Sequence, residues 1–242
     1  MVTDNWPQTC SVPGSEMATT ASRIRAVFFD LDGTLYDRDR LVEELFGEQF
    51  DVFADELRGI QREQFLHDVL AMDDHGYGMK ERGYCELVRR WEVESALAER
   101  LINHFWAAYD NHCRLPADVR RTLDELRSQG LKLGVVTNGS SKRQRRKLEA
   151  LGLSTAFDAI LVSEEEGVRK PAAEIFRRAL GRCGAPAHEV IFVGDHPVVD
   201  IQGAHRAGLV AVWKHVPYWP AVVPDAPVVH ELSEILRICG GY

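Results

Sequence analysis

Long apolar runs and closely spaced cysteines are both missing from this 242-residue chain. No stretch approaches the roughly 18–20 consecutive apolar residues that a membrane-crossing helix needs, so no membrane partner is expected. The first 22 residues have no basic start followed by an apolar block, and no secretory leader is expected. Cysteine is sparse: five residues (Cys10, Cys85, Cys113, Cys183, Cys239), odd in number and without C-x-x-C spacing. Neither a zinc site nor a disulfide framework is indicated, and a reducing, cytoplasmic setting with free thiols fits. Positive charge is in deficit, with 29 Lys and Arg against 37 Asp and Glu, for a net −8. That balance speaks against a chain-wide footprint for nucleic acid or an anionic membrane. No internal repeat is visible.

What is present is ordinary for a globular protein: 45% hydrophobic and 27% charged residues. The length allows one large domain, or one domain carrying an insertion. Residues 1–22 are rich in Ser, Thr, Pro and Asn and are expected to form a disordered tail. Met17 just precedes the first good strand and is a candidate for the true start.

Ala26-Val27-Phe28-Phe29 is a continuous apolar run, the pattern of a parallel strand covered on both faces. From Leu41 the period becomes helical: Val42, Phe46, Phe50, Phe53, Leu57 and Ile60 recur at steps of three or four. Phe65, Val69, Met72, Tyr84, Val88, Trp91, Leu97, Leu101, Phe105 and Tyr109 continue it, with no convincing strand up to Leu115. After Pro116, strands and helices alternate. Helices are expected at 117–128, 142–151, 172–182, 201–207 and 231–238, and strands at 131–136, 159–162, 190–193 and 210–213. Such alternation predicts right-handed crossovers and an open parallel sheet. The expected architecture is an α/β Rossmann-like core of residues 23–36 and 115–242, split by a helical cap at 37–114.

Open parallel sheets bind ligands at the carboxyl ends of their strands, and the chemistry-bearing residues sit there. Asp30 and Asp32 flank one residue after the first strand, and Gly33 lets the chain turn sharply. Val193-Gly194-Asp195 ends another strand, with Asp200 five residues on. If these loops are neighbours, several carboxylates share a small space. Two unit charges 4 Å apart repel by roughly 4 kcal/mol at an effective dielectric of 20. Such a cluster calls for a cation or a shifted protonation, and hard oxygen ligands suit Mg²⁺. Singly, each Asp is equally an N-cap or a turn former. Thr137-Asn138-Gly139 follows a third strand; a hydroxyl and backbone N–H groups at a helix entrance suit an anion, or simply cap the helix. Lys170 precedes Pro171 at the start of an expected helix. It can carry charge to a phosphate or lie on the surface.

Together, and in this order, the four segments resemble the haloacid dehalogenase-like hydrolase superfamily. Asp30-Leu31-Asp32-Gly33-Thr34 matches its first motif, D-x-D-G-T; Thr137 its second; Lys170 its third. Gly194 to Asp200 matches the fourth, G-D-x-x-x-x-D. The resemblance runs from Ala26 to Trp213, and an insertion between the first and second motifs resembles the C1-capped phosphatase subclass.

The resemblance implies a Mg²⁺-dependent phosphatase acting on a small phosphorylated metabolite through an aspartyl-phosphate. Asp30 would be the nucleophile and Asp32 the general acid and then base. Asp30 and Asp195 would bind metal through their side chains and Asp32 through its backbone carbonyl. Asp200 would sit close by, or on Lys170. Thr137 and the Asn138 amide would hold phosphoryl oxygens, and Lys170 would offset charge on nucleophile and phosphoryl group. Dehalogenases of the superfamily typically lack the second Asp, because no alkoxide needs a proton; Asp32 thus favours ester hydrolysis. A phosphosugar mutase and a non-catalytic binding or regulatory member use the same scaffold and stand as alternatives.

The cap would close over the cleft and set specificity, with the Asp73–Gly78 loop and Tyr36 as candidates against an ordinary turn and a packed aromatic. Lys142 to Lys147 holds five basic residues in six. It suits a nucleic-acid patch in principle, but overall acidity favours a solvated helix face that attracts anions. His196 is expected to cap its loop, since Asp32 already supplies acid–base chemistry.

Overall fold

The computed structural model describes residues 23–219 and 225–240. The expected tail, with Met17 in it, lies outside the described residues. The elements run β1 (Ala26–Phe29), α1 (Arg38–Val52), α2 (Arg62–Asp73), α3 (Lys80–Arg90), α4 (Leu97–His112), α5 (Ala117–Ser128), β2 (Lys132–Thr137) and α6 (Ser141–Ala150). There follow β3 (Ala159–Val162), α7 (Ser163–Glu166), α8 (Ala173–Cys183), β4 (Val190–Gly194), α9 (Gly203–Arg206), β5 (Val210–Lys214), β6 (Val228–Val229) and α10 (Ile235–Gly240). A wide π-type turn, Pro197–Gln202, joins β4 to α9.

The strands form one sheet in the order β3-β2-β1-β4-β5-β6, every pair parallel. This is the α/β Rossmann-like architecture expected. Side chains alternate across each strand, and both faces are covered. Val27, Phe29, Val135, Ile191 and Val193 belong to one core cluster, with Leu123 and Leu126 of α5. Phe28, Val136 and Phe192 belong to the other, with Ile175, Phe176 and Ala179 of α8. Double-sided burial explains why these strands lack polar alternation. None of the described helices is long and apolar enough to cross a membrane.

Strand order places the site. β1 is flanked by β2 on one side and β4 on the other, with Phe29 level with both Val135 and Val193. The connection after β1 runs to β2 and the one after β4 runs to β5, in opposite directions, which opens a crevice at the strands' carboxyl ends. The Asp30 amide donates to the Val193 carbonyl at 2.9 Å, holding the two strand tips together.

Helices α1 to α4 pack on one another between β1 and α5. The Phe46 and Phe105 rings lie 5.5 Å apart, and Phe50 and Phe65 5.4 Å. Gln49 is fully buried yet satisfied: it donates to the Leu101 carbonyl at 2.8 Å and accepts from the Tyr84 hydroxyl. The helical period of the sequence runs on through Leu57 and Ile60, but α1 ends at Val52 and Leu57 is buried from a turn. A turn residue that faces the core keeps the spacing without the helix.

Candidate active site

Residues from β1, β2, β4 and the turn before α8 meet above the sheet. Asp30 directly follows β1, and its carboxylate lies 2.6 Å from the Lys170 ammonium. Lys170 also donates to Asp200 at 2.7 Å, so one buried lysine bridges two buried carboxylates. Asp200 in turn accepts from the His196 amide at 3.0 Å, which fixes it beneath the β4 loop. Lys170 does not begin a helix: α8 starts at Ala173, and the turn before it aims the side chain at the strand tips. The Asn138 side chain sets that turn, accepting from the Lys170 amide at 2.9 Å and donating to its carbonyl at 3.0 Å.

Asp195 completes an acidic group. Oxygens of Asp30, Asp195 and Asp200 all lie within 4.8 Å of one another. Two aromatic donors steady Asp195 Oδ2, the Trp219 indole at 3.0 Å and the Tyr218 hydroxyl at 3.3 Å. Trp213 holds the Asp195 carbonyl at 2.6 Å. Gly33 has φ +79°, and a Cβ there would stand 2.7 Å from Asp195 Oδ2. Only glycine provides both the left-handed turn and the room.

Asp32 points to a different wall. Its carboxylate receives Lys147 at 2.7 and 2.9 Å, Gln144 at 3.0 Å and the Tyr36 hydroxyl, which also meets Tyr109 at 3.0 Å. Gln144 also reaches Thr137 Oγ1, linking the end of β2 to Asp32. A cavity of about 360 Å³ opens over Asp32, Gln144, Lys147 and Thr137 on one side and Asp30, Lys170, Asp195 and Asp200 on the other. Its far wall comes from the helical segment and includes Arg38, His75, Tyr77, Lys80 and Trp106.

The electrostatics divide the two aspartates. Burial raises the Asp30 carboxyl well above the usual range; Lys170 pulls it down, and Asp200 and Asp195 push it up again. Asp195 is pushed up to about 7, by burial and then by Asp200. Burial would raise Asp32 too, but Lys147 and Arg38 outweigh it and hold the carboxyl well below the usual range. Lys170 is held firmly protonated, because Asp200 and Asp30 outweigh the cost of burial. Opposite shifts two residues apart suit two different chemical tasks.

Asp30, Asp195, Asp200 and Lys170 thus meet directly, and Thr137, Asn138 and Asp32 line the same cavity. Tyr36 lies behind Asp32, buried, rather than on the wall. In the candidate specificity loop His75 to Gly78 face the cavity, whereas Asp73 is buried in a salt bridge to Arg38. His196 does cap its loop: Nδ1 accepts from the Val198 and Val199 amides at 3.1 and 3.2 Å.

The basic run is not simply a solvated face. Lys147 and Gln144 turn inward to Asp32, while Arg143, Arg145 and Arg146 pair with Glu81, Glu165 and Asp110. Lys147, Gln144, Arg38 and Lys80 escaped the motif reading. Helical spacing carried a signal for the first two: Gln144, Leu148 and Leu151 fall on one buried stripe, with Lys147 at its margin.

Comparison with known proteins agrees with the geometry. The family model of haloacid dehalogenase-like hydrolases matches residues 24–208. A glyceraldehyde 3-phosphate phosphatase of Methanopyrus kandleri is 34% identical over 194 residues, covering 78% of this chain and 83% of its own. Human N-acylneuraminate-9-phosphatase is 32% identical over 235 residues, covering 90% and 93%. The crystal structure of a HAD phosphatase from Thermococcus onnurineus superposes with a TM-score of 0.64 at 25% identity, covering 90% and 99%. The chain belongs to the haloacid dehalogenase-like hydrolases. Its place among their phosphatases makes it an enzyme, a hydrolase of phosphoric monoesters.

Proposed function

We propose that the chain hydrolyses a small phosphorylated metabolite, in a Mg²⁺-dependent reaction that passes through an aspartyl-phosphate on Asp30. The observation that carries this is the Lys170 bridge between Asp30 and Asp200, set against Asp195. Phosphoryl transfer depends chiefly on positioning and charge neutralisation, and these groups supply both.

The all-oxygen donor set of Asp30, Asp195 and Asp200 fits a hard divalent cation. Asp30 and Asp195 would hold it through their side chains and Asp32 through its backbone carbonyl, with Asp200 adjacent. When bound, Mg²⁺ neutralises charge on the phosphoryl oxygens.

Asp30 attacks phosphorus, and the ester oxygen leaves. Lys170 keeps Asp30 oriented while balancing charge on the group in transfer. Thr137 Oγ1 and the Asn138 amide hold phosphoryl oxygens. Asp32 protonates the departing alkoxide and then takes a proton from the water that opens the aspartyl-phosphate. Lys147 holds Asp32 as a carboxylate, the form that second half needs. Phosphoryl charge entering the cleft favours uptake of the proton that the first half needs. Residues 37–114 act as a cap over a core of 23–36 and 115–242, and the wall from His75 to Lys80 meets the leaving group. The relatives' names cover phosphates of a three-carbon aldehyde and of an acylated amino sugar, which supports a sugar-phosphate class.

The test is a panel of phosphorylated metabolites and p-nitrophenyl phosphate, assayed with Mg²⁺ and after chelation. Release of phosphate that needs the metal and vanishes in Asp30→Asn is expected. Equal turnover by Asp30→Asn in a clean preparation would overturn the assignment of Asp30.

A further inference from the structure

Arg38, Lys80 and Lys147 stand together on the cavity wall, and none of them is a surface residue. Lys147 is spent on Asp32. Arg38 and Lys80 share a single buried carboxylate: Arg38 grips Asp73 with two hydrogen bonds of 2.7 and 2.9 Å, and Lys80 donates to the same Asp73. Asp39 approaches Arg38 at 3.4 Å but is itself engaged by His75. Glu81, which lines the cavity next to Lys80, pairs with Arg143.

Lys80 is the group with capacity left over. Its ammonium carries three donors; among the described residues one goes to Asp73, and the head lies 5.0 Å over the Phe105 ring. It is almost fully buried, yet it belongs to the cavity lining. Burial lowers its pKa, Asp73 restores part of the loss, and Arg38 and Lys147 lower it again. Like charges therefore converge at this point. Lys80 keeps two of its donors without a protein partner among the described residues, on a wall it shares with Arg38 and Lys147, and a buried ammonium in that state favours an anion beside it. The first turn of α3, which begins at Lys80 without a side-chain cap, adds backbone N–H groups at the same wall.

We infer that Lys80, backed by Arg38, receives a second anionic group on the leaving-group side of the substrate, so that the preferred ester carries a carboxylate or a further phosphate besides the one transferred. This rests on the phosphatase reading and narrows it. It assigns specificity to a residue outside the four motifs. A buried ammonium binds such a group through charge-assisted hydrogen bonds and discriminates against a neutral hydroxyl at that place.

Two matched pairs test it with the full chain and Mg²⁺. The carboxylate arm compares 3-phosphoglycerate with glycerol 3-phosphate. The phosphate arm compares fructose 1,6-bisphosphate with fructose 6-phosphate. In at least one arm the doubly anionic member is expected to show a tenfold or greater advantage in kcat/KM. Lys80→Gln is expected to shrink that ratio below about threefold, and Lys80→Arg to keep most of it. Ratios near one in both arms of the wild-type protein overturn the inference whatever the variants do, as does a preference that survives Lys80→Gln. Should no ester be hydrolysed, the phosphatase reading fails separately. Calorimetric affinities for the same pairs then decide the anion site by the same ratios.

Discussion

Lys147 Nζ lies 2.7 and 2.9 Å from the two carboxylate oxygens of Asp32, a residue 115 positions earlier in the chain. Both side chains are mostly shielded from water, at 12% and 23% exposure. Asp32 is thereby kept as a carboxylate two residues from Asp30, whose own carboxyl is pushed the other way.

Lys147→Met is the direct test of that pair. Removing one partner strands the other charge, at a cost of about 2–3 kcal/mol for a pair that retains some solvent. A lower thermal midpoint is expected, together with a kcat reduced by at least about tenfold, part of the roughly 10²–10⁴-fold that general acid–base assistance supplies. Melting curves and phosphate-release kinetics check both. An unchanged kcat would remove Lys147 from the positioning of Asp32.

Asp30→Asn is expected to separate stability from activity. The Asp30 carboxyl is raised by burial and by its acidic neighbours, so its charged form opposes folding at neutral pH. The amide variant should lose phosphate release yet melt no lower than the wild-type chain in metal-free buffer. Thermal unfolding followed by circular dichroism measures this.

Divalent metal is expected to stabilise the chain through its acidic group. At a hundred times its dissociation constant a ligand adds about 2.7 kcal/mol to the folded state. Mg²⁺ should therefore raise the melting temperature, and EDTA should reverse the rise and stop turnover. Asp195→Asn should weaken both responses, because Asp195 is one of three carboxylates whose oxygens lie within 4.8 Å of one another.

Asp73 sets an acid limit. Burial raises its pKa, but Arg38 and Lys80 hold it down to about 2. A carboxyl depressed in the folded state stabilises fully above its unfolded value near 4, and that stability drains away as the pH falls towards 2. The contribution is on the order of 2 kcal/mol, at about 1.36 kcal/mol per pKa unit. Denaturant midpoints measured from pH 7 to pH 2 should fall steeply below pH 4. Asp73→Asn should be less stable at pH 7 and should flatten that fall.

Gly33→Ala should damage the site from the backbone. The positive φ costs roughly 1–2 kcal/mol for any residue with a Cβ. The added methyl would also press on Asp195 Oδ2, 2.7 Å away. Loss of activity is expected together with weaker Mg²⁺ stabilisation, both measurable on one preparation.

Much of the fold could be read directly. The runs at Ala26–Phe29 and Val190–Val193 are apolar throughout because both faces of those strands are covered. That same continuity marks where the sheet ends and the Asp residues begin. Lys170 was recognisable by resemblance alone; nothing local to it shows that the turn before α8 aims its ammonium at Asp30. Lys147 was hidden inside a basic run, since a helix presents some of such residues to solvent and others to the protein, and composition cannot sort them. Lys80, Trp219 and Tyr218 lie in segments with no motif, and their relation to the site depends on how the helical segment and the β5–β6 connection fold over it.

By itself the sequence determined the alternation of elements, the sites of the strand ends and the carboxylates, threonine and lysine placed there, because periodicity and turn chemistry are local. Tertiary structure alone decided which charges meet across more than a hundred residues, Lys170 with Asp30 and Lys147 with Asp32, and brought Lys80 to the wall of the same cavity. Coulomb energy depends on distance through space and on how much water lies between the charges, and neither is set until the sheet order and the helical segment have closed over them.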